Sequence, residues 1–376
     1  MQSNFASTRM AGFANALLLV VVVALAQSVA GQTGANYYVS TAGNDSNPGT
    51  LSSPWQTIQH AANTATAGAT VYVKGGTYKE SVNFPNSGTP GEPITFASYP
   101  GQTAIISGSG LSCCTSNPAS SGNLIQGLVN IVNGSYIIIS EFAIGNFTTG
   151  KAADTPAGIW ITGSGTGVEI LNNQVYNITT TAGARGNAFG IAVYGTSQTP
   201  ITQLVISGNE VYNLKTGESE SVNTDGNVTY FKITNNIVHD NYNIGIALIG
   251  DEGVGPTGYD VSTYGEVSGN TVYNISGIVN PGEGSSYDAD GIYCDGCAYV
   301  TIESNWIYNV DYGIEVASEN QVCQANGTEW TGPNNTGTAS LSTHPCYGEY
   351  VTVRNNVISN SNAAGYSIGG YAKASS

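Results

Sequence analysis

One ten-residue pattern, V-x-I-x-x-N-x-V-x-N, constrains the fold more than any other feature of the chain. It stands complete at 168–177 (VEILNNQVYN) and returns at 204–213 (LVISGNEVYN), 231–240 (FKITNNIVHD), 265–274 (GEVSGNTVYN), 300–309 (VTIESNWIYN) and 351–360 (VTVRNNVISN). Each copy reads as two short alternating strands joined at an asparagine. A shorter motif lies between the copies: GIWITG at 158–163, GIAVYG at 190–195, GIALIGD at 245–251, GIYCDG at 291–296, GIEVASE at 313–319 and GYSIGG at 365–370. Each cycle therefore holds about three short strands, and strands outnumber any helix signal.

Strand repeats at a near-constant period mean stacked turns, with equivalent positions directly above one another. Stacking buries a column of Val and Ile. The central asparagines at 173, 209, 236, 270, 305 and 356 are expected at the bends, in the left-handed region and hydrogen-bonded from turn to turn. Tyr176, Tyr212, His239, Tyr273 and Tyr308 form a second column. A propeller blade needs ~40–45 residues and four antiparallel strands. The spacings here, 36, 27, 34, 35 and 51 residues, fit one turn of a coil plus variable loops.

Charged residues make up 9% of the 376, with 9 Lys+Arg against 25 Asp+Glu. Such a balance excludes a coiled coil or helix bundle and disfavours nucleic acid, which needs clustered cations. It also disfavours a bare polyanion unless metal ions bridge the charges. Residues 1–30 read as a secretory signal: Arg9 precedes an apolar run at 16–26, and Ser28 and Ala30 suit cleavage after Ala30. Eleven apolar residues are too few for a helix across a bilayer, which takes ~20. The expectation is a secreted monomer, free of the membrane after cleavage, with residues 31–376 forming one domain. Export permits disulfides among the six cysteines at 113, 114, 294, 297, 323 and 346. Cys323 with Cys346 is expected to staple a loop and Cys294 with Cys297 to form a local bridge. Zinc on these four is the alternative.

The opening segment, YYVSTAGNDSNPGTLSSPWQTIQHA at 37–61 followed by TVYVKGGTYKESV at 70–82, resembles the start of many secreted β-helix proteins. Over about 37–370 the chain resembles the right-handed parallel β-helix, or pectin-lyase-like, superfamily. The resemblance implies an all-β solenoid with a short N-terminal capping helix, here near 54–66. Ser53 reads as N-cap, Pro54 as N1 and Gln56 as N3, with Ile58, Ala61, Ala62 and Ala65 on one apolar face. The superfamily hosts lyases, hydrolases, epimerases and non-enzymes, so the fold leaves the chemistry open. The strand pattern runs to Gly370, and either further turns or a loop cap is expected to cover the last one.

Outward side chains of consecutive turns line up ~4.8 Å apart and can form a groove. Aligning the short motifs puts Thr162, Tyr194, Asn223, Ile249, Asp295, Ala317 and Gly369 in one outward column, with Asp225, Asp251 and Glu319 just beyond. Glu315 faces the same way one turn after Tyr293. Nearby loops add Glu218, Glu220, Glu252, Asp288 and Asp290. Crowded carboxylates resist joint ionisation, which is what a glycosidase acid–base pair requires. The rival is a calcium site among Asp251, Glu252, Asp288, Asp290 and Asp295. In pectate-type lyases such calcium neutralises a uronate while Lys or Arg takes the proton. Lys151, Arg185, Lys215 and Lys232 are candidates, with Lys232 expected near Asp225. A solubilising role for the acids, in a surface or adhesion solenoid, is the third reading.

The catalytic pair expected from the register is Asp295 with Glu315, supported by Glu319 and Asp251, with Asp225 and Lys232 as the fallback. The string NTDG at 223–226 matches a polygalacturonase motif, and Gly250, Asp251 and Glu252 follow about one turn later. The chain lacks that family's Gly-His-Gly and Arg-x-Lys strings, so the match marks the groove and not membership. Trp160, Tyr194, Tyr293 and Trp330 are candidate sugar platforms. His239 is either a packed member of the Tyr column or a substrate contact.

Overall fold

A computed structural model describes residues 34–114, 127–183, 186–280, 286–318, 321–323, 329–331 and 350–369. The signal segment, Glu319, Arg185 and the expected Cys323–Cys346 staple lie outside the residues or side chains described.

The repeats coil into a parallel β-helix with three main faces. The first face is a ten-stranded parallel sheet from Asn36–Val39 to Thr352–Arg354. In it Ile139, Ile170, Ile206, Ile233, Val267 and Ile302 stand in register. All six are wholly buried, as the alternating pattern requires. The second face stacks Val175, Val211, Val238, Val272 and Ile307. The third stacks Val129, Ile159, Ile191, Val222, Ile246, Ile292 and Ile314. These last two faces merge into one sixteen-stranded sheet because Trp306–Ala317 and Val357–Ile368 run round the corner unbroken. Two-residue strands from Gly165–Thr166 to Ser262–Thr263 add a narrow fourth strip. Among the described strands, only Gln321–Cys323 with Glu329–Thr331 pair antiparallel, which excludes a propeller.

The bends divide two duties that the sequence assigned to one asparagine. Asn173, Asn209, Asn236, Asn270 and Asn305 are 1% exposed, and each donates its side-chain Nδ2 to the Oδ1 of the next, at 3.0–3.1 Å over the first four rungs and 2.9 Å to Asn356. Each Oδ1 from Asn209 to Asn356 also accepts the backbone N–H of the ladder asparagine one turn earlier, at 2.9 Å. The left-handed conformation falls on the residue before: Asn172, Gly208, Asn235, Gly269, Ser304 and Asn355, with φ between 54° and 69°. Asparagine and glycine tolerate that region best, which explains why five of these six are Asn or Gly. A second left-handed column, Asn177, Asn213, Asp240, Asn274, Asn309 and Asn360, turns the chain again on the surface. The Tyr column is present as expected, with His239 sandwiched 5.3 Å from Tyr212 and 4.7 Å from Tyr273.

The capping helix forms but starts later than the sequence motif suggested. It spans Ile58–Thr64, and Thr57, not Ser53, is the N-cap, its side chain accepting from the His60 N–H at 3.1 Å. Carboxylates distant in sequence satisfy the other free donors: Asp45 accepts from the Gln56 and Thr57 N–H groups, and Glu80 from those of Ile58 and Gln59. Ser53 instead closes a turn onto Thr50. Ile58, Ala61 and Ala62 are buried as expected.

Candidate active site

The third face carries the site, because its outward side chains alternate with core residues such as Ile292, Cys294 and Ile314. Its register corrects one expectation. Tyr194 pairs with Asp225, not Asn223, and the column runs Thr162, Tyr194, Asp225, Ile249, Asp295, Ala317. Asn223 sits two residues back, beside Ala247. The strand Glu220–Gly226 lacks the GIxVxG string, so the motif alignment slipped by one full alternation. Its inward residues, Val222 and Thr224, fix the true phase.

A cavity of about 730 Å³ opens over this column. Glu218, Glu220, Asp225, Glu252, Asp288, Asp290 and Asp295 line it. Phe189, Tyr194 and Tyr293 supply aromatic surface, and Ile249 lies between the two acids of the column. No lysine, arginine or histidine is among its described lining residues.

Asp225 is a strongly perturbed carboxyl. It is 4% exposed, and its Oδ1 has no hydrogen-bond partner among the described residues. Burial, reinforced by Asp260, Glu220 and Glu252, pushes it well above the ordinary carboxylate range. The Tyr194 phenol is likewise held well above its usual value by burial and by Glu220, Asp225 and Glu252. The Asn223 Nδ2 ties the group together, donating to Tyr194 Oη at 3.3 Å and to Glu220 Oε2 at 3.2 Å.

Two acids that the sequence reading missed hold the walls. Asp260 accepts from the N–H groups of Gly253 and Gly255, both at 2.6 Å, and so folds the loop bearing Glu252. Asp311 is wholly buried and accepts from Ser276 Oγ, the Gly277 and Ala289 N–H groups and Asn362 Nδ2. It therefore pins both ends of the loop that carries Asp288. Neither has a repeat position that marks it, since each holds backbone donors of a loop that varies from turn to turn.

The other candidates scatter. Asp295 and Tyr293 line the cavity, 5% and 2% exposed. Glu315 stands opposite Tyr293, as the register implied, but accepts from Ser367 Oγ at 2.8 Å and is not part of the lining. Asp251 is also outside the lining, at a left-handed turn with its N–H bonded to the Asp260 carbonyl. Trp160 is no platform: it is stacked on Tyr194, rings 4.8 Å apart, and is not among the described lining residues of the cavity. Phe189 takes that place. The Trp330 side chain lies outside the described residues. His239 belongs to the second face, 2.7 Å from Asp240. Lys232 is on the first face, 3.2 Å from Glu266, and not near Asp225. Replacing Lys232 by Ala should leave any turnover within about twofold and cost under about 1 kcal/mol, as for other exposed pairs. A tenfold loss of activity in an assay of the purified variant would return it to the chemistry.

Cys294 and Cys297 are bridged, which removes them from a zinc site, and Cys113 is bridged to Cys114. Among the described residues no three Asp, Glu, His or Cys side chains gather closely enough to hold one metal ion.

Comparison with known proteins places these features. The family model described as "Right handed beta helix region" matches residues 157–347, and that described as "Pel9A-like, right handed beta helix region" matches 37–196. The uncharacterized protein YwoF of Bacillus subtilis is 35% identical over 322 residues, 86% of this chain and 66% of that protein. Pectate lyase PEL9 of Emericella nidulans is 38% identical over 105 residues, 27% of this chain and 26% of the lyase. The chain thus spans just under two thirds of the first relative and about a quarter of the second. Among solved structures, the GH136 lacto-N-biosidase from Eubacterium ramulus superposes with a TM-score of 0.54 at 13% identity, covering 88% of this chain and 57% of the enzyme.

Proposed function

Since the chain belongs to the right-handed β-helix family, we propose that it is a secreted carbohydrate-active enzyme hydrolysing a glycosidic bond in an extracellular polysaccharide. One observation carries this reading: a buried carboxyl held well above the ordinary carboxylate range, Asp225, shares an outward column and a cavity with a second acid, Asp295. The similarity to a fungal protein named for pectate supports the substrate class. The apolar run at 16–26 and the small residues before position 31 support secretion.

Asp225 gives its proton from the unpartnered Oδ1 to the leaving glycosidic oxygen as the bond from the anomeric carbon breaks. Asp295 takes a proton from the water that attacks that carbon on the opposite face. Two strand spacings separate their backbones, roughly 9.6 Å. With side chains projecting in parallel, that lies near the upper end of the separation of inverting enzymes, ~6.5–9.5 Å. Ile249 between them keeps the floor apolar, and Tyr194, Phe189 and Tyr293 offer ring surfaces to the sugars.

A second reading, calcium-assisted elimination, is favoured by the PEL9 similarity. The oxygens of Asp251, Glu252, Asp288, Asp290 and Asp295 have the right donor chemistry. As placed they do not converge, so no step is drawn through a metal. A panel of neutral and acidic glycans separates the readings. New reducing ends without unsaturated product, unaffected by a chelator, are expected. An unsaturated, calcium-dependent product would mean a lyase, and silence across the panel a binding solenoid.

A further inference from the structure

A second cavity, of about 700 Å³, shares none of its described lining residues with the first. It sits on the shoulder where the second face turns toward the third; among its described lining residues Lys215 is the only cation and Asp240, engaged with His239 and Asn274, the only acid. Lys215 has no carboxylate within ion-pair distance among the described residues, in a protein where acids outnumber bases 25 to 9. Its backbone is locked: its N–H donates to the Ile178 carbonyl at 3.1 Å and its carbonyl accepts from Thr180 at 3.0 Å. Its ammonium stands 6.0 Å from the centre of the Tyr242 ring.

The surface amide column breaks at this place. Asn177 donates to Asn146 at 3.1 Å, and further along Asn274 donates to Asp240, Asn309 to Asn274 and Asn360 to Asn309. Asn213, between the two runs, forms no side-chain hydrogen bond among the described residues. Asp240 cannot extend the run toward it as a donor, and its two oxygens are taken by His239 at 2.7 Å and Asn274 at 2.9 Å. Elsewhere the column satisfies its own amides; here it leaves one open, beside the hydroxyls of Thr148 and Thr179.

An unpaired ammonium over an aromatic ring with open amide and hydroxyl groups beside it suits a sugar ring that carries a carboxylate. We propose that this shoulder is a separate binding site for a uronic-acid unit of the glycan, with Lys215 on its carboxylate and Asn213 on its hydroxyls. The acid cavity repels such a unit, so the two sites divide a chain by charge: neutral units at the acids, a uronate at Lys215. The proposal rests on the carbohydrate class of the reading above and not on its hydrolytic step.

The test is isothermal titration with trigalacturonate and with its fully methyl-esterified form, which keeps the rings and removes the charge. The Asp225→Asn background prevents turnover, so binding is read whether or not the acid cavity hydrolyses. Saturable binding of trigalacturonate is expected, weakened about tenfold by Lys215→Ala, regained in Lys215→Arg and weakened by salt. Asn213→Gly, which keeps the left-handed turn, should weaken both ligands. The methyl ester should not respond to Lys215→Ala. Absence of saturable trigalacturonate binding, or equal affinity in the Lys215→Ala variant with an unchanged melting temperature, overturns the proposal.

Discussion

Replacing Asp225 by Asn should abolish turnover and, at neutral to alkaline pH, raise the melting temperature. The first effect follows from loss of the proton donor, for which a drop of ~10²–10⁴-fold is usual. The second follows from linkage. Asp225 has a higher pKa folded than unfolded, because burial and the charges of Asp260, Glu220 and Glu252 oppose its ionisation. Such a group's stabilising contribution is complete below the ordinary aspartate pKa of ~4 and is lost as the pH rises through the raised folded value. The amide variant carries no such dependence. Its advantage over the parent should be absent near pH 4 and grow toward pH 8, in melting curves recorded across that range. A pH-independent difference, or a variant that still turns over glycan, would remove Asp225 from the role.

Asn236→Ala should be among the most damaging single substitutions outside the site. Its Oδ1 accepts from the N–H and Nδ2 of Asn209, and its Nδ2 donates to the Ile206 carbonyl and to Asn270 Oδ1, all between 2.9 and 3.0 Å. Alanine leaves these buried partners wanting. At ~1–3 kcal/mol for each buried group left unsatisfied, partly relieved by relaxation, the total comes to about 4–6 kcal/mol. That is a large part of the 5–15 kcal/mol that typically holds a domain together. The matched control is Asn274→Gly in the exposed column, which keeps the left-handed turn and should cost under about 1 kcal/mol. Urea unfolding measures both, and similar midpoints would mean that the inner ladder carries no special weight.

The fold was legible because its cause is periodic. The column of Ile and Val, the asparagine ladder and the tyrosine stack recur with each turn, so sequence alone places them. What escaped has no period. The helix cap depends on Asp45 and Glu80, which reach the helix only through the coil. The phase of Glu220–Gly226 is set by which residues are buried, and its string ESVNTDG hides that behind a motif look-alike. Lys232 and Asp225 are seven residues apart, yet one corner of the coil puts them on different faces. Of the expected pair, Asp295 lines the cavity and Glu315 does not, and the partner that the geometry favours for Asp295 is the aspartate that the alignment had set beyond the column.

The corners where the second face meets the third differ in length from turn to turn. No residue intervenes in Trp306–Ala317, two separate Asn241 from Ile244, and fourteen, at 276–289, separate Ile275 from Asp290. These are the segments that bring Glu218, Asn243 and Asp288 to the cavity. Insertions and deletions are therefore tolerated where the wall of the cleft is built and forbidden in the ten-residue pattern, where one added residue would turn every following side chain inside out. Over evolutionary time such a chain can remodel the wall of its cleft one corner at a time, while the ladder beneath stays in step.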